Sequence, residues 1–229
     1  TGSPEIFGVV HGPQSLKQFV FAPREPLLQI ERTKDGFTAR PTLPQSEKVA
    51  IIGARACDLA GLTIQDRIFL NDAYRDPYYA SRREGLFVIV VNCTRALSTC
   101  FCASMETGPR ARSGFDLELT EVDDQLLIEA GSEAGRDLLS NLSLSTGSEQ
   151  LSVEAATRIE ACAQSQVRRL DHSRLPQALY DAHEHPRWDE VAGRCLACTN
   201  CTMVCTTCFC HAVEETPDLS HQQTTHARL

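Results

Sequence analysis

Cysteines at metal-binding spacing dominate the end of the chain, where residues 195–210 read CLACTNCTMVCTTCFC. The pattern C-x2-C-x2-C-x3-C joins Cys195, Cys198, Cys201 and Cys205, and it is the spacing of bacterial ferredoxins. Two-residue gaps let a tight loop wrap three thiolates around an iron–sulfur cluster, with loop amides free to donate hydrogen bonds to sulfur. The three-residue gap turns the fourth thiolate away, typically toward a second cluster. The pattern predicts [4Fe–4S] ligation by these cysteines.

Two departures from the ferredoxin pattern leave the fourth ligand open. Thr206 follows Cys205, where the pattern usually continues with Pro, and no cysteine follows Cys210. A two-cluster ferredoxin fold needs a second cysteine run of the same spacing. Either that run lies beyond Leu229, or Cys205, Cys208 and Cys210 complete a single cluster.

A structural zinc site is the alternative use of these thiols. Zinc ribbons usually separate two C-x2-C pairs by about a dozen residues or more. Here the successive gaps are only two or three residues long. The spacing therefore favours a cluster over zinc.

A strand, a helix and a second strand are predicted to position a further group of cysteines. Residues 48–53 (KVAIIG) and 85–93 (GLFVIVVNC) are short, apolar and β-branched, as buried strands are. Residues 57–70 between them carry apolar side chains at helical spacing, with Asp58 able to cap the helix. A strand–helix–strand unit of this kind predicts that the two strands run parallel.

The ends of these strands should bring four thiols to one edge of the sheet. Cys57 follows the first strand, Cys93 lies at the end of the second, and Cys100 and Cys102 stand in the next loop. Open parallel sheets bind ligands at this edge, and four thiolates match a [4Fe–4S] or [2Fe–2S] cluster. The alternative is that Cys57 and Cys93 are small buried apolar residues. Cys162, alone on a predicted helix, is assigned to core packing.

The tetrapeptide TCFC occurs in both cysteine groups, at Thr99–Cys102 and at Thr207–Cys210. Its cysteines are candidate ligands, and its Thr hydroxyl and backbone amides are candidate donors to cluster sulfur. Its Phe is expected to exclude water. Hydrogen bonds to sulfur and a low local dielectric both tune the reduction potential of a cluster.

The remaining sequence indicates an α+β protein with two domains. Residues 114–131 alternate like a hairpin, the Ser-rich residues 140–150 suggest a linker, and Pro176 suits the first turn of a helix. A longer helix is indicated by apolar residues at three-four spacing, namely Val153, Ala156, Ile159, Ala163, Val167 and Leu170. The prediction is an α/β domain over residues 1–145, with short parallel strands and a hairpin. A helical ferredoxin-type iron–sulfur domain, incomplete here, is predicted over residues 151–229.

Composition excludes several classes of partner. A net charge of −8 and a pI near 5.4 leave no basic stripe to neutralise phosphates, so a nucleic-acid partner is not expected. The longest apolar run, residues 86–91, is too short to span a bilayer, and no secretory signal is recognisable. Tightly spaced cysteines converge on metals rather than pairing as disulfides, which predicts a reducing, cytoplasmic location.

Four segments in fixed order within residues 5–215 carry a resemblance to a known family. They are IIGARACDLAGLTIQDRIFL, DPYYASRREGLFVIVVNC, TCFCASMETGPRARSGFDLELTE and RWDEVAGRCLACTNCTMVCTTCFC. Together they resemble the beta subunit of soluble sulfhydrogenases, the group 3b nickel–iron hydrogenases, and the corresponding iron–sulfur subunit of anaerobic sulfite reductase is similar. The resemblance implies further sequence before Thr1 and a second ferredoxin-type cysteine run after Leu229.

The resemblance also implies a function and partners. The family's beta subunit relays electrons through iron–sulfur clusters, two or more [4Fe–4S] clusters being expected here. It does so between a flavin subunit that handles NAD(P)H and the hydrogenase small subunit, while the large subunit splits hydrogen. Within this family pattern Cys195, Cys198, Cys201 and Cys205 are ferredoxin-type ligands, and the other four thiols fall in further cysteine motifs. No catalytic residue is expected in the chain itself.

Three alternative functions remain open at this stage. One is the same electron-transfer role in an anaerobic sulfite reductase-type complex. Another is a zinc-stabilised scaffold that docks other subunits. The third is an independent thiol enzyme, in which His183 and His185 beside Glu184 would be bases or ligands, although an exposed helix end explains these residues more simply.

Overall fold

The computed structural model of the chain describes residues 6–8, 16–43 and 47–229. Within these residues the chain forms eight helices and eight strands. The helices are α1 (Lys17–Val20), α2 (Ala56–Phe69), α3 (Pro77–Glu84), α4 (Glu133–Ser140), α5 (Glu149–Gln164), α6 (Leu175–Asp181), α7 (Arg187–Ala192) and α8 (Asn200–Val204). The strands are β1 (Glu25–Thr33), β2 (Gly36–Pro41), β3 (Val49–Ala54), β4 (Leu86–Val91), β5 (Leu117–Val122), β6 (Gln125–Ala130), β7 (Val213–Pro217) and β8 (Gln223–Arg228).

The chain divides into two compact units that interleave along the sequence. The first unit comprises Thr1–His11, Ala50–Ala60 and Phe87–Asn200, and the second comprises Gly12–Val49, Gly61–Leu86 and Cys201–Leu229. The predicted division into domains at residues 145 and 151 stays a prediction. The mixed α/β character predicted from sequence is confirmed.

A four-stranded sheet in the order β3-β4-β5-β6 forms the framework of the first unit. β4 and β5 pair in parallel, whereas β5 and β6 form the predicted hairpin through an antiparallel register that brings Val122 opposite Gln125. Asp123 takes the left-handed conformation that a two-residue hairpin turn requires. The helix α5 packs on β5 and β6, and Val88, Val90 and Leu117 are buried in this unit.

The start of α2 differs from the prediction in one detail. The helix begins at Ala56, so Asp58 is its third residue rather than its cap. The Asp58 carboxylate instead accepts the backbone N–H of Arg55 at 2.8 Å. This is the reciprocal half of a capping box, in which a side chain of the first turn reaches back to the residue before the helix.

The apolar face predicted for the helix after the linker is wrong in part. Val153 is 60% exposed and Val167 is 79% exposed, because α5 ends at Gln164 and buries a different stripe. The buried stripe consists of Ala155, Ile159 and Cys162.

The second unit is built on an antiparallel sheet in the order β2-β1-β8-β7. Its core contains Val20, Phe21, Leu62, Phe69 and Tyr79. Phe69 stacks against Phe21 and tilts against Tyr79, with ring centroids 5.2 and 5.0 Å away.

Buried polar contacts surround this core. Asp76 caps α3 through the N–H groups of Tyr78 and Tyr79 and receives a hydrogen bond from the buried Arg228 at 2.6 Å.

The helical character predicted for residues 151–229 is wrong at its end. Residues 213–217 and 223–228 form β7 and β8, and β8 inserts between β1 and β7. The sequence QTTHAR in β8 is rich in β-branched Thr, which favours a strand. Glu25 of β1 pairs with Arg228 of β8 across 203 positions of sequence, so local pattern gives no sign of the pairing.

Candidate functional site

Short elements of the first unit position the first cysteine set, which we define as Cys57, Cys93, Cys100 and Cys102. Cys57 is the second residue of α2, immediately after β3, and Cys93 comes two residues after β4. Cys100 and Cys102 lie in the loop that follows. This loop is held in place because the Cys93 N–H donates to the Pro109 carbonyl at 3.3 Å.

The thiols of the first cysteine set lie close enough to influence one another electrostatically. Burial, together with the negative charges of Asp58, Cys102 and Cys93, raises the pKa of Cys57 to about 12, although part of the residue is exposed at the surface. The pKa of Cys93 is also raised by burial, and by the charges of Cys102 and Cys100. The fold therefore gathers side chains that are spread over 46 positions of sequence, from residue 57 to residue 102.

A fifth thiol lies beside this set. Cys162 of α5 is only 2% exposed, which agrees with its assignment to core packing. Its neighbours, however, include other cysteines. Burial, together with the charges of Cys93, Cys102 and Cys100, raises the pKa of Cys162 to about 12.

Arg55 is a buried cation at the same place, and the sequence analysis missed it. Its side chain donates to the carbonyl oxygens of Phe7 at 2.8 Å, Val91 at 3.3 Å and Asn92 at 3.5 Å. After burial, the charge of Arg55 is the largest influence on Cys93, and it opposes the rise in that pKa. Its position could have indicated a role, because Arg55 lies two residues before Cys57 and just after the end of a predicted strand.

Donors of hydrogen bonds point at two sulfurs of the first cysteine set. The side-chain amide of Gln166 donates to Cys102 Sγ at 3.2 Å, and the Leu97 N–H donates to Cys100 Sγ at 3.4 Å. Gln166 was also missed, because it lies 64 positions after Cys102 and outside any cysteine motif. A cluster sulfur or thiolate carries negative charge, so these donors suit such a ligand.

The cysteine run, which we define as residues 195–210, is much more open to solvent. Cys195, Cys198, Cys201 and Cys210 are exposed, while Cys205 and Cys208 are partly buried. The boundary between the two compact units passes between Asn200 and Cys201. The run therefore has a first part, residues 195–200, in the first unit and a second part, residues 201–210, in the second unit.

The first part of the cysteine run has an unusual backbone. Ala197 and Thr199 both have positive φ angles, 51° and 59°, which non-glycine residues rarely adopt. The Ala197 N–H donates to Cys195 Sγ at 3.4 Å. Turns that alternate left-handed residues expose successive N–H groups to an anion, and many iron–sulfur sites use them.

Hydrogen bonds around sulfur also mark the second part of the run. Thr207 Oγ1 lies 3.3 Å from Cys205 Sγ. Partial burial alone would raise the pKa of Cys205, but hydrogen bonds from Thr207 and Cys208 outweigh it and lower the pKa to about 7. The pKa of Cys208 is raised, chiefly through its hydrogen bond to Cys205.

The same part of the run packs against α2. Gly61 passes so near Thr206 that a Cβ atom added to it would lie 2.7 Å from Thr206 Cβ and Oγ1. The buried Gln65 donates its amide to the Thr206 carbonyl at 2.9 Å, and Phe209 meets Phe69 edge-on at a centroid distance of 5.8 Å.

The two TCFC copies therefore differ in their surroundings. Phe209 has the aromatic contact with Phe69, although both phenylalanines are exposed, Phe209 at 39% and Phe101 at 44%.

Among the described residues, no three His, Cys, Asp or Glu side chains are close enough to hold one metal ion. A single zinc ion draws its ligands to about 2.3 Å from one point, whereas a cluster holds its thiolates at separate iron corners. The finding therefore applies to sites for a single metal ion, and it does not bear on a site for a cluster. The donor chemistry of the first cysteine set fits a cluster, because several thiols, two sulfur-directed donors and a buried cation occur together.

The remaining candidate residues show no such surroundings. His183 and His185 are in an exposed segment, and His183 contacts the Tyr180 carbonyl and Glu184. No helix in the described part of the chain is long and apolar enough to cross a membrane.

Comparison with known proteins gives one informative similarity. The chain is 30% identical over 209 residues to sulfhydrogenase 2 subunit beta of Pyrococcus furiosus, an alignment that covers 87% of this chain and 58% of that protein. The chain thus spans less than two thirds of the length of this relative. No family model and no solved structure matches the chain.

Proposed function

We propose that the chain is a member of the sulfhydrogenase beta-subunit family and that it is an electron-transfer subunit that holds [4Fe–4S] clusters. The observation that carries the proposal is the gathering of the first cysteine set beside a buried cation and two donors to sulfur. Thiolates are the usual protein ligands of iron–sulfur clusters. A core that needed these residues only for packing would have no use for donors aimed at sulfur.

In the first cysteine set, all four thiols are the proposed ligands. A bound cluster supplies the ability to accept and release single electrons. The residues around it would stabilise its negative charge. Gln166 and the Leu97 N–H donate hydrogen bonds to ligand sulfurs, and Arg55 offsets part of the charge. Burial of the side chains of Arg55 and Gln166, at 7% and 5% exposure, keeps water away from these contacts.

The cysteine run is the proposed second ligand group. Cys195, Cys198 and Cys201 are assigned by their spacing, with Cys205 as the fourth ligand. The alternative assignment, in which Cys205, Cys208 and Cys210 complete the site, is retained. The left-handed residues in the first part of the run support a loop that presents N–H groups to an anion.

The proposed partners follow from the family. The name of the Pyrococcus furiosus relative describes a subunit of a sulfhydrogenase. We assign this chain to a cytoplasmic complex with the small and large subunits of a nickel–iron hydrogenase and with a subunit that binds flavin and NAD(P). Electrons pass through this chain between the flavin-binding partner and the hydrogenase small subunit. Hydrogen is split elsewhere in the complex.

Metal analysis of the anaerobically purified complex tests the proposal. We expect iron and acid-labile sulfide in equal amounts in this chain, and an EPR signal that appears on reduction with dithionite. Cys57→Ser should remove the iron of one cluster, and Cys198→Ser should remove that of another. Stoichiometric zinc in place of iron would reject electron transfer in favour of a scaffold.

A further inference from the structure

Gln166, just beyond the end of α5, has surroundings that differ from those of the polar residues of that helix. It follows the helix directly, after the capping residue Ser165, and it is only 5% exposed. Gln164, two positions earlier, is exposed and donates its amide to Glu160 at 2.9 Å. Burying a side-chain amide is costly unless its donors and acceptor find partners. We therefore expect both ends of the Gln166 amide to form hydrogen bonds.

Both ends of the Gln166 amide bind the loop that carries Cys102. Its Oε1 accepts the Ala103 N–H at 3.0 Å, and its Nε2 donates to Cys102 Sγ at 3.2 Å. A backbone N–H can only donate, so the Ala103 contact requires the oxygen on that side of the amide. The nitrogen is consequently the atom that faces the sulfur, and the orientation of the amide is fixed by the protein.

The remaining contacts of this region hold the amide in place. Cys162, four positions before Gln166, is a buried residue of the last turn of α5. Beyond the helix, the Leu170 N–H donates to Ser104 Oγ at 3.0 Å, which ties the chain after α5 to the same loop. Gln166 is thus anchored on both sides and cannot turn its amide away without losing a buried hydrogen bond.

We propose that Gln166 is a positioning residue that raises the reduction potential of the cluster bound by the first cysteine set, through its hydrogen bond to Cys102. The inference rests on the proposed function. Reduction adds negative charge to the cluster and its thiolates, so a donor to sulfur stabilises the reduced state more than the oxidised state. Loss of that donor therefore lowers the potential.

A redox titration followed by EPR tests the inference in the anaerobically purified complex. Gln166→Met has nearly the same size and removes the donor, so the potential of one cluster should fall while that of any other stays unchanged. A tenfold drop in the equilibrium constant for one-electron reduction corresponds to about 59 mV. Gln164→Met is the matched control, because its amide binds a carboxylate and not a sulfur, and it should leave every potential unchanged.

Pulsed EPR on glutamine labelled with ¹⁵N at the side chain gives a second readout that does not depend on the Gln166→Met variant. The reduced cluster of the wild-type protein should couple to one labelled nitrogen. That coupling should remain in Gln164→Met and vanish in Gln166→Glu, which keeps an oxygen for Ala103 but has no side-chain nitrogen. This measurement decides the question if Gln166→Met loses its iron.

The outcomes separate this inference from the function on which it rests. Iron with unchanged potential in Gln166→Met, or a reduced wild-type cluster without coupling to labelled nitrogen, overturns the role of Gln166 alone. Wild-type complex that contains no iron in this chain overturns the proposed function as well.

Discussion

The first cysteine set and the cysteine run, the two proposed ligand groups, differ in how their thiols are brought together. In the first set, elements of the fold collect thiols from distant positions, bury their surroundings and supply Arg55 and Gln166 as partners. In the run, the cysteines are already close together in the sequence, and four of its six thiols remain exposed. The run meets the core of the second unit only in its second part, through Thr206 and Phe209, whereas the first set depends on the core of the first unit for its geometry. Changes to that core should therefore damage one ligand group and spare the other.

The largest expected effect comes from removing a ligand of the first cysteine set. Cys102→Ser should abolish one cluster, which for a [4Fe–4S] centre means about four iron atoms per chain. Its matched control is Cys162→Ser, which alters a thiol in the same neighbourhood that is outside the proposed ligand set. We expect that variant to keep its iron, as measured by iron and sulfide analysis.

The opposite result would change which thiols are assigned as ligands in the first cysteine set. If Cys162→Ser lost a cluster and Cys57→Ser did not, then the ligand set would contain the buried helix thiol in place of the exposed one.

A large effect on stability is expected from Arg55. Arg55→Met removes the donors to the carbonyls of Phe7, Val91 and Asn92, and leaves buried acceptors without partners. We expect a loss of about 3–5 kcal/mol in the free energy of unfolding of the first unit. Hydrogen exchange of the amides of β4 measures it, because opening of that strand exposes them.

The control for this change is an arginine on the surface. Arg194→Met breaks a pair with Glu190 whose partners are both largely exposed. Exposed pairs contribute about 0–1 kcal/mol, so exchange in β4 should be unchanged. Equal effects of the two substitutions would show that Arg55 has no special role in the core.

Local pattern predicted the framework of the first site well. The strand at 48–53, the helix after it and the strand at 85–93 appear as β3, α2 and β4, because buried strands and amphipathic helices have clear sequence periods. The placement of Cys57 and Cys93 at strand ends followed from those periods. The role of these thiols as ligands remains a prediction.

Contacts between residues that are far apart in the sequence were not predicted. Gln166 meets Cys102 across 64 positions, and β8 pairs with β1 across most of the chain. Neither contact is encoded in a local period, since it depends on how packed elements meet. The shift of the buried stripe of α5 to Ala155 and Cys162 has the same origin, because the helix turns toward whatever surface its unit offers.

A moderate effect is expected where the cysteine run does touch a core. Gly61→Ala would place a Cβ atom 2.7 Å from Thr206, whose Cβ is fixed to the backbone and cannot swing aside. Overpacking costs about 1–3 kcal/mol, which exceeds the gain of about 0.5–1 kcal/mol from replacing glycine inside a helix. We expect a lower urea midpoint, restored in part by Thr206→Gly in the double variant.

Gly193→Ala is the control for this steric argument. A Cβ atom there would meet the Asp189 carbonyl oxygen at 3.4 Å, which is ordinary contact. A Gly61→Ala protein as stable as wild type would show that the run is not packed on α2. The first cysteine set would then be the one proposed ligand group that packs against a core.

The smallest expected effect concerns the hydroxyl beside Cys205. Thr207→Val removes the hydrogen bond to Cys205 Sγ, which favours the thiolate and helps to hold the pKa of Cys205 near 7. A net hydrogen bond of about 0.5–1.5 kcal/mol corresponds to about half a pH unit to one unit, so the pKa should rise by that amount. The pH dependence of Cys205 alkylation in the cluster-free chain, followed by mass spectrometry, measures the shift. Thr199→Val is the control, because the Thr199 hydroxyl donates to the Cys198 carbonyl and not to sulfur. An unchanged midpoint in Thr207→Val would mean that Cys208 and the backbone amides hold this thiolate without help from the Thr207 hydroxyl.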